Sequence, residues 1–286
     1  MSYVVALIAC HNRKDRTVAC LTSLFSQHVA GHYIEAVLID DGSSDGTADA
    51  ARAVSERVDV IRGDGSLFWA GAMALAEQRA MSRLPDYLLW LNDDVVLYGD
   101  AIETLMAARD SSTNGQIVVG TLVDPDTGVP TYGGVERADW HPLRFRLVAP
   151  TDGEPRPVST FNGNVVLVAR AVYRRVGGID GGFSHAYADI DYGLRAGGLG
   201  IHAVVSGTPV GTCPRGPGAP WRDTSLPLTT RYRLMLSRKG VPIGSSARYL
   251  RRHGGRLWPV YFLATYVKLA VDHASAWHLR GRIPSQ

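Results

Sequence analysis

Five short apolar runs recur along the first part of the chain: YVVALIA (3–9), IEAVLID (34–40), VDVIR (58–62), YLLWL (87–91) and QIVVGTLV (116–123). An unbroken apolar run, rather than an alternating one, marks a strand covered on both faces. Helical periodicity fills the spaces between. RTVACLTSLFSQ sets Val18, Leu21, Leu24 and Phe25 at helical spacing, and GAMALAEQRAMSR is rich in Ala. SSDGTADAARAVSE opens with a Ser/Asp cluster suited to capping free N–H groups. DAIETLMAAR starts with Asp100 and has Glu103 three residues later, a capping-box pattern. Strand–helix alternation at this spacing predicts an α/β fold, Rossmann-like, with a mostly parallel central sheet and helices on both faces.

Beyond the fifth run the pattern changes. From Asp124 to about Val158, Pro, Gly, Asp and Thr dominate around Trp140 and Phe145, which reads as hairpins or a mobile excursion. NVVLVARAVYRRVGG resumes a strand and a short helix, IHAVVSG reads as another strand, and GTPVGTCPRGPGAP (207–220) as a Gly/Pro loop. After Thr224 the chain turns basic and helical. Residues 225–286 hold 11 Lys or Arg against one acid, Asp272, a net of +10; residues 1–224 hold 19 against 26, a net of −7. This asymmetry predicts an acidic globular domain over 1–224 and a basic helical region over 225–286 with a partner of its own.

Composition excludes several classes. Cys10, Cys20 and Cys213 neither pair evenly nor show zinc spacing, which suggests a reducing compartment. No basic stretch precedes YVVALIACHN and no run of about 18 apolar residues occurs, so neither a signal peptide nor a membrane span is expected. A cytoplasmic location follows. Charge alone permits nucleic acid, but no recognition motif supports it.

In an open parallel sheet, ligands bind at the carboxyl ends of the strands. Unusual polar clusters lie at four such ends: CHNR (10–13), DDGSSDGT (40–47), GDGSLFWAG (63–71) and NDD (92–94). DDGSSDGT has one more Asp than a helix cap needs, so a carboxylate there suits a base N–H or ribose hydroxyls. Phe68 and Trp69 are placed either to stack on a base or sugar or to cover the sheet. Asp93 and Asp94 repel one another at the end of an interior strand, and a cation must offset them. A hard divalent ion carrying a diphosphate satisfies that need. Further on, HAYADIDYGLRAGG (185–198) carries Asp189 and Asp191. In an extended stretch these share a face, whereas in a helix they point about 200° apart. Either is suited to act as a general base. RPVSTFNGN (156–164) supplies Asn162 and Asn164, to meet an acceptor sugar or to complete a turn.

ALIACHNRKDRTVACLTSLFSQ, VLIDDGSSDGT, LNDDV and GGIDGGFSHAYADIDYGLRAGGLGI, in that order, resemble the family 2 glycosyltransferases of the GT-A fold, especially their rhamnosyltransferase-like branch. The resemblance covers about residues 1–215. It implies inverting transfer from a UDP- or dTDP-sugar with Mg²⁺ or Mn²⁺ to a hydroxyl of a carbohydrate, lipid-linked or small-molecule acceptor. It places Asp40 on the pyrimidine base, Asn92 on the ribose side, Asp94 on the metal and Asp189 as catalytic base. Donor contacts are further assigned to Ala9, His11, Asn12, Arg13, Asp41, Gly65, Trp69 and Asp93, and acceptor contacts to Asn162, Gly163, Asp191 and Trp140. Two departures stand out. Ala188 replaces the Glu that usually precedes the base, and Cys213 lies near the place of the family's late metal-binding His. Cysteine is a poor ligand for Mg²⁺, which leaves a weakly held metal or diphosphate binding through Arg215.

Two rival readings share much of this pattern. A sugar-nucleotide nucleotidyltransferase has the same fold and metal but normally a Gly-rich loop after the first strand, and ACHNRKD has no glycine. A non-catalytic sugar- or membrane-binding protein is compatible with Ala188 and Cys213. The basic region, with Trp258, Tyr261, Phe262, Tyr266 and Trp277, reads as a packing subdomain, a homodimer interface, or a peripheral attachment to an anionic inner leaflet. WPVYFLATYVKLAV is too short to span and carries Lys268, so it is expected to lie in the interface instead.

Overall fold

A computed structural model describes residues 1–27, 31–111, 116–151, 153–184, 186–216 and 218–280; the side chains of 276–280, including Trp277, lie outside the described set. The chain divides into two compact units, Met1–Gly182 with Ala188–Arg215, and Phe183–Tyr187 with the chain from Gly216 onward. This division falls nine residues before the charge boundary at Thr224. Arg231 shows why, because its buried Nε donates to the carbonyl of Trp221 (2.8 Å) and ties that segment to the helical unit.

The first unit runs β1 (Ser2–Cys10), α1 (Lys14–Phe25), β2 (His32–Asp40), α2 (Thr47–Val54), β3 (Val58–Arg62), α3 (Phe68–Met81), β4 (Tyr87–Leu91), β5 (Val96–Leu97), α4 (Ala101–Asp110) and β6 (Ile117–Val123). It continues through β7 (Pro130–Tyr132), β8 (Gly134–Arg137), β9 (Phe145–Leu147), β10 (Gly153–Val158), β11 (Thr160–Phe161), β12 (Val165–Ala169), α5 (Arg170–Val176), α6 (Ala188–Gly198) and β13 (Ala203–Thr212). The main sheet has the order β10-β13-β6-β12-β4-β1-β2-β3, and β11-β8-β9 form a small second sheet. The stretch after Asp124 is thus hairpins, and β13 continues through residues read above as loop.

Alternation along β1 explains the two helical layers. Val4, Ala6, Ile8 and Cys10 face a core shared with Cys20, Leu21 and Leu24 of α1 and Leu105 of α4. The intervening Val5 and Leu7 are equally buried, and α3 packs on β1 and β2. The predicted capping box on α4 does not form: Asp100 makes no side-chain cap bond. Gln27, buried at the end of α1, takes its place by accepting from the N–H of Ile102 (3.1 Å) while donating to the carbonyl of Tyr98 (2.7 Å). The sequence could not show this because the partners are 75 residues apart.

One buried acid on α3 makes a pH prediction. Glu77 accepts from the N–H of Ile179 (2.7 Å), and burial pushes its pKa from 4.5 up to about 8. The unfolded chain ionises Glu77 from about pH 4.5 upward, whereas the folded chain holds it neutral until about pH 8. Its contribution to stability is therefore full below 4.5 and is lost progressively as pH rises to 8. Glu77→Gln should flatten that slope by on the order of 1 kcal/mol per pH unit at most. Urea denaturation at pH 5 and pH 8 checks it; parallel slopes for the two proteins would refute the burial argument.

The second unit is helical: α7 (Leu228–Leu236), α8 (Ile243–His253) and α9 (Trp258–Arg280). The Tyr232 hydroxyl donates to the carbonyl of Tyr266 (2.9 Å), and the Tyr266 hydroxyl donates to that of Val241 (3.1 Å). The rings of Tyr187 and Tyr249 stack at 4.8 Å. Among the described residues, no helix is long and apolar enough to cross a membrane.

Candidate functional site

Strand register brings the polar clusters to one sheet edge. Cys10 pairs with Asp40 and Asp40 with Arg62, so the loops after β1, β2 and β3 leave at one level. Trp90 pairs with Leu7, which brings the Asn92–Asp94 turn to the same edge. The strand beside β4 departs from the parallel expectation: β12 runs antiparallel, with Val165 opposite Leu91. Its beginning rather than its end therefore reaches the crevice and delivers Asn162, Gly163 and Asn164. Beyond it, β13 is parallel to β6 and carries Cys213 to the same edge, where its N–H donates to the carbonyl of Val123 (2.9 Å).

The cation that the paired carboxylates require is supplied within the chain. Arg13 Nη1 donates to Asp93 Oδ1 (2.9 Å) and Asp94 Oδ2 (3.1 Å). Asp93 is buried, and burial, outweighing the attraction of Arg13, pushes its pKa up to about 6. Asp94 is more open and takes a hydrogen bond from the Cys213 thiol (3.5 Å). Burial first, and then the charge of Asp94, raise the Cys213 pKa. The thiol therefore stands beside Asp94 as a hydrogen-bond donor. Among the described residues no three His, Cys, Asp or Glu side chains group as a metal cage. Two adjacent carboxylates nevertheless fit Mg²⁺ or Mn²⁺, which usually complete their shell with water and substrate phosphate.

The nucleotide-side loops are tied to one another. His11 Nδ1 donates to the carbonyl of Asp41 (2.6 Å). Asn12, at φ 51°, donates its N–H to Ser43 Oγ (2.8 Å) and accepts from the N–H of Ser44 (2.8 Å). Ala9 is half-buried one residue before the end of β1. Asp40 is buried, with Oδ1 accepting from the N–H of Ser43 (3.0 Å) and Oδ2 without a hydrogen-bond partner. Asp41 differs. Its carboxylate accepts from the N–H groups of Gly65 (2.9 Å), Leu67 (3.3 Å) and Phe68 (2.9 Å). The second Asp therefore holds the loop that starts α3. A Cβ on Gly42 would come within 3.0 Å of Gly65 N, and both residues have positive φ, so this close approach of two loops needs glycine on each side.

Trp69 links the two halves of the site. Its indole N–H donates to Asn92 Oδ1 (2.8 Å), and its ring meets Trp90 edge-on at 6.1 Å. A Cβ at Gly163 would lie 2.8 Å from the Trp69 ring and 3.2 Å from Asp189 Cβ. The N–H of Gly163 donates to Asp189 Oδ2 (3.0 Å), and Asp189 Oδ1 accepts from the N–H of Ile190 (2.8 Å). Burial raises the Asp189 pKa. Gly163→Ala should therefore cost about 1–3 kcal/mol through overpacking and displace both Trp69 and Asp189. Denaturation followed by tryptophan fluorescence checks it, and wild-type stability with an unchanged emission spectrum would contradict the contact.

Two expected acceptor residues lie elsewhere. Asp191 is on helix α6 with Asp189, so the two point apart, and it is fully buried against Arg195 Nε (2.8 Å). Arg195 also donates to the carbonyls of Val176 (2.8 Å) and Gly178 (2.9 Å), so Asp191 anchors structure. Trp140 is 77% exposed in the turn between β8 and β9. β8 starts opposite Phe161 and runs to Arg137, so Trp140 follows the end of β8 that is remote from Phe161. Two further residues border the turn, Cys20, whose thiol donates to the carbonyl of Asn92 (3.3 Å), and Asn164. The Asn164 carbonyl accepts from the Asn92 N–H (2.9 Å). Nothing in the local sequence marks Cys20; Asn164 is signalled only by its place in FNGN.

The fold has counterparts among known proteins. Among solved structures, a mannosyltransferase from Pyrobaculum calidifontis, in complex with GDP-Man and Mn²⁺, aligns at TM-score 0.59 and 14% identity, over 100% of this chain and 76% of its own. Residues 1–349 of S. aureus TarS align at TM-score 0.57 and 12% identity, over 100% of this chain and 93% of theirs. The same segment in complex with UDP-GlcNAc gives 0.55 and 13%, over 90% and 73%. At these identities the likeness establishes the GT-A fold. No match is found among curated protein sequences. The model of glycosyl transferase family 2 matches residues 5–176, the larger part of the chain and every strand end described above but that of β13, and the chain belongs to that family.

Proposed function

We propose that the protein is an inverting glycosyltransferase that moves a sugar from a uridine or thymidine diphosphate donor to an acceptor hydroxyl, on the cytoplasmic side. The observation that carries this reading is the link between Asp189 and the Asn92–Asp94 turn through Gly163 and Trp69. It fixes one carboxylate beside the acidic turn, as single displacement needs: a base on one side of the reacting carbon and a charged leaving group on the other. The order of the motifs favours the rhamnosyltransferase-like branch.

The residues take distinct parts. Asp40 offers a buried carboxylate oxygen to the N–H of a pyrimidine base, consistent with its unpartnered Oδ2. Asn92, with His11, Asn12 and Arg13, frames the ribose and diphosphate. Asp94, backed by Asp93, would hold Mg²⁺ or Mn²⁺, and such an ion when bound offsets the charge growing on the leaving diphosphate. Asn162 and Gly163 border the acceptor side. Asp189 takes the proton of the attacking hydroxyl while its two backbone N–H contacts keep it oriented. The acceptor is a carbohydrate, lipid-linked or small-molecule alcohol.

Calorimetry with UDP, dTDP and GDP in Mn²⁺ tests the donor class. The pyrimidine nucleotides should bind, and a response to GDP alone would overturn the assignment of Asp40. With a donor sugar that turns over, the product should be nucleoside diphosphate; pyrophosphate would instead indicate a nucleotidyltransferase.

A further inference from the structure

We infer that the outward face of α9 is a docking surface for an anionic lipid bilayer, on which the helix lies in the plane of the headgroups. One face of α9 packs on α7 and α8 and carries the buried Leu269. The other carries Val260, Leu263, Val267 and Val271, which are 60%, 63%, 48% and 55% exposed. Steps of three, four and four residues keep these side chains in one line over about three turns. A surface helix normally presents charged and polar residues on such a face. Here Lys268 and Asp272 are the only charged residues among the exposed positions from 259 to 275. The helix is apolar inward and outward, and the outward stripe needs an apolar environment of its own.

Charge selects the occupant. Arg251, Arg252 and Arg256 are exposed at the start of the stripe, and the Arg251 guanidinium lies over the ring of Trp258 at 5.0 Å. Aromatic rings and long basic side chains together suit the boundary between headgroups and acyl chains. Residues 225–286 carry a net +10. Two copies of this chain meeting through the stripe would bring two strongly positive units together, whereas an anionic leaflet attracts each. With Lys268 and Asp272 on its flank, and with no described helix able to span, α9 rests on the membrane instead of crossing it.

The test is sedimentation of the full-length protein with phosphatidylglycerol or phosphatidylcholine vesicles. Binding to phosphatidylglycerol should be roughly tenfold or more stronger at low salt, and largely released at about 0.5 M salt by screening. The exposed double substitution Leu263→Gln/Val267→Gln should weaken it at least about tenfold with the far-UV circular dichroism spectrum and the urea unfolding transition unchanged, which report on folding. Arg251→Gln/Arg256→Gln should remove the preference between the lipids. Equal binding to both lipids, or unaltered binding by both variants, would overturn the inference. So would a lipid-free dimer that the apolar substitution dissociates, which would assign the face to a second copy. Because the assay needs no turnover, its outcome is independent of the proposed reaction.

Discussion

Asp189→Asn is expected to lower kcat by about 10²–10⁴ while leaving donor binding intact, the usual loss on removing a general base. Asparagine keeps the size and the acceptor oxygen but cannot take a proton. One of the two backbone bonds that orient the carboxylate, from Gly163 and Ile190, therefore persists in the variant. The pH profile adds a signature that a structural role would not show. Burial raises the Asp189 pKa, so the carboxylate becomes protonated at a higher pH than an ordinary one. Activity depends on the ionised form; kcat/KM should fall as pH drops through that raised value, placing the acid limb above the usual carboxylate range. In Asp189→Asn this limb should vanish along with the rate. Near-normal turnover would remove Asp189 from the chemistry, and Asp191 could not replace it, since it is buried in an ion pair with Arg195.

The contrast between these two aspartates shows what was legible in the sequence and what was not. The strand runs and their polar ends were readable because burial on two faces demands apolar runs, and the carboxyl edge of such a sheet collects ligand contacts. Thus Asp40, Asn92 and Asp94 could be singled out from their places at strand ends, and Gly163 from the resemblance alone. The direction of Asp191 was not readable, because it depended on whether ADID was extended or helical, and the helix beginning at Ala188 decides that. Asp41 was ambiguous for a related reason: only tertiary placement shows that three backbone N–H groups bond to it. The antiparallel course of β12 was hidden as well. An apolar run states that a strand is buried but not which way it points, and here the reversal is what carries Gly163 to Asp189.

The ion pairs of Arg13 with Asp93 and Asp94 are the largest addition to what the sequence showed, and they sharpen the expectation for the acidic turn. Asp94→Ala should weaken UDP binding in Mn²⁺ by roughly ten- to a hundredfold, about 1.4–2.8 kcal/mol, and change it little in EDTA. Asp93→Asn should be milder toward the ion, because Asp93 is the more buried of the pair and already faces the guanidinium. Arg13→Gln should act in the opposite direction on Mn²⁺ alone. The arginine bridges both carboxylates, so an ion entering without nucleotide must displace it. Removing the guanidinium leaves two adjacent anions without compensation and should tighten Mn²⁺ several-fold, a modest gain because the arginine is half-exposed and such pairs contribute about 1 kcal/mol or less. A diphosphate offers the displaced guanidinium a new anionic partner, so in the wild-type protein ion and nucleotide should strengthen one another's binding. Electron paramagnetic resonance of free Mn²⁺, titrated with and without UDP, measures all of these terms. If Asp94→Ala binds UDP equally well in Mn²⁺ and in EDTA, and Arg13→Gln leaves Mn²⁺ affinity unchanged, then no ion enters this turn. Arg13 is then the permanent cation that offsets Asp93 and Asp94.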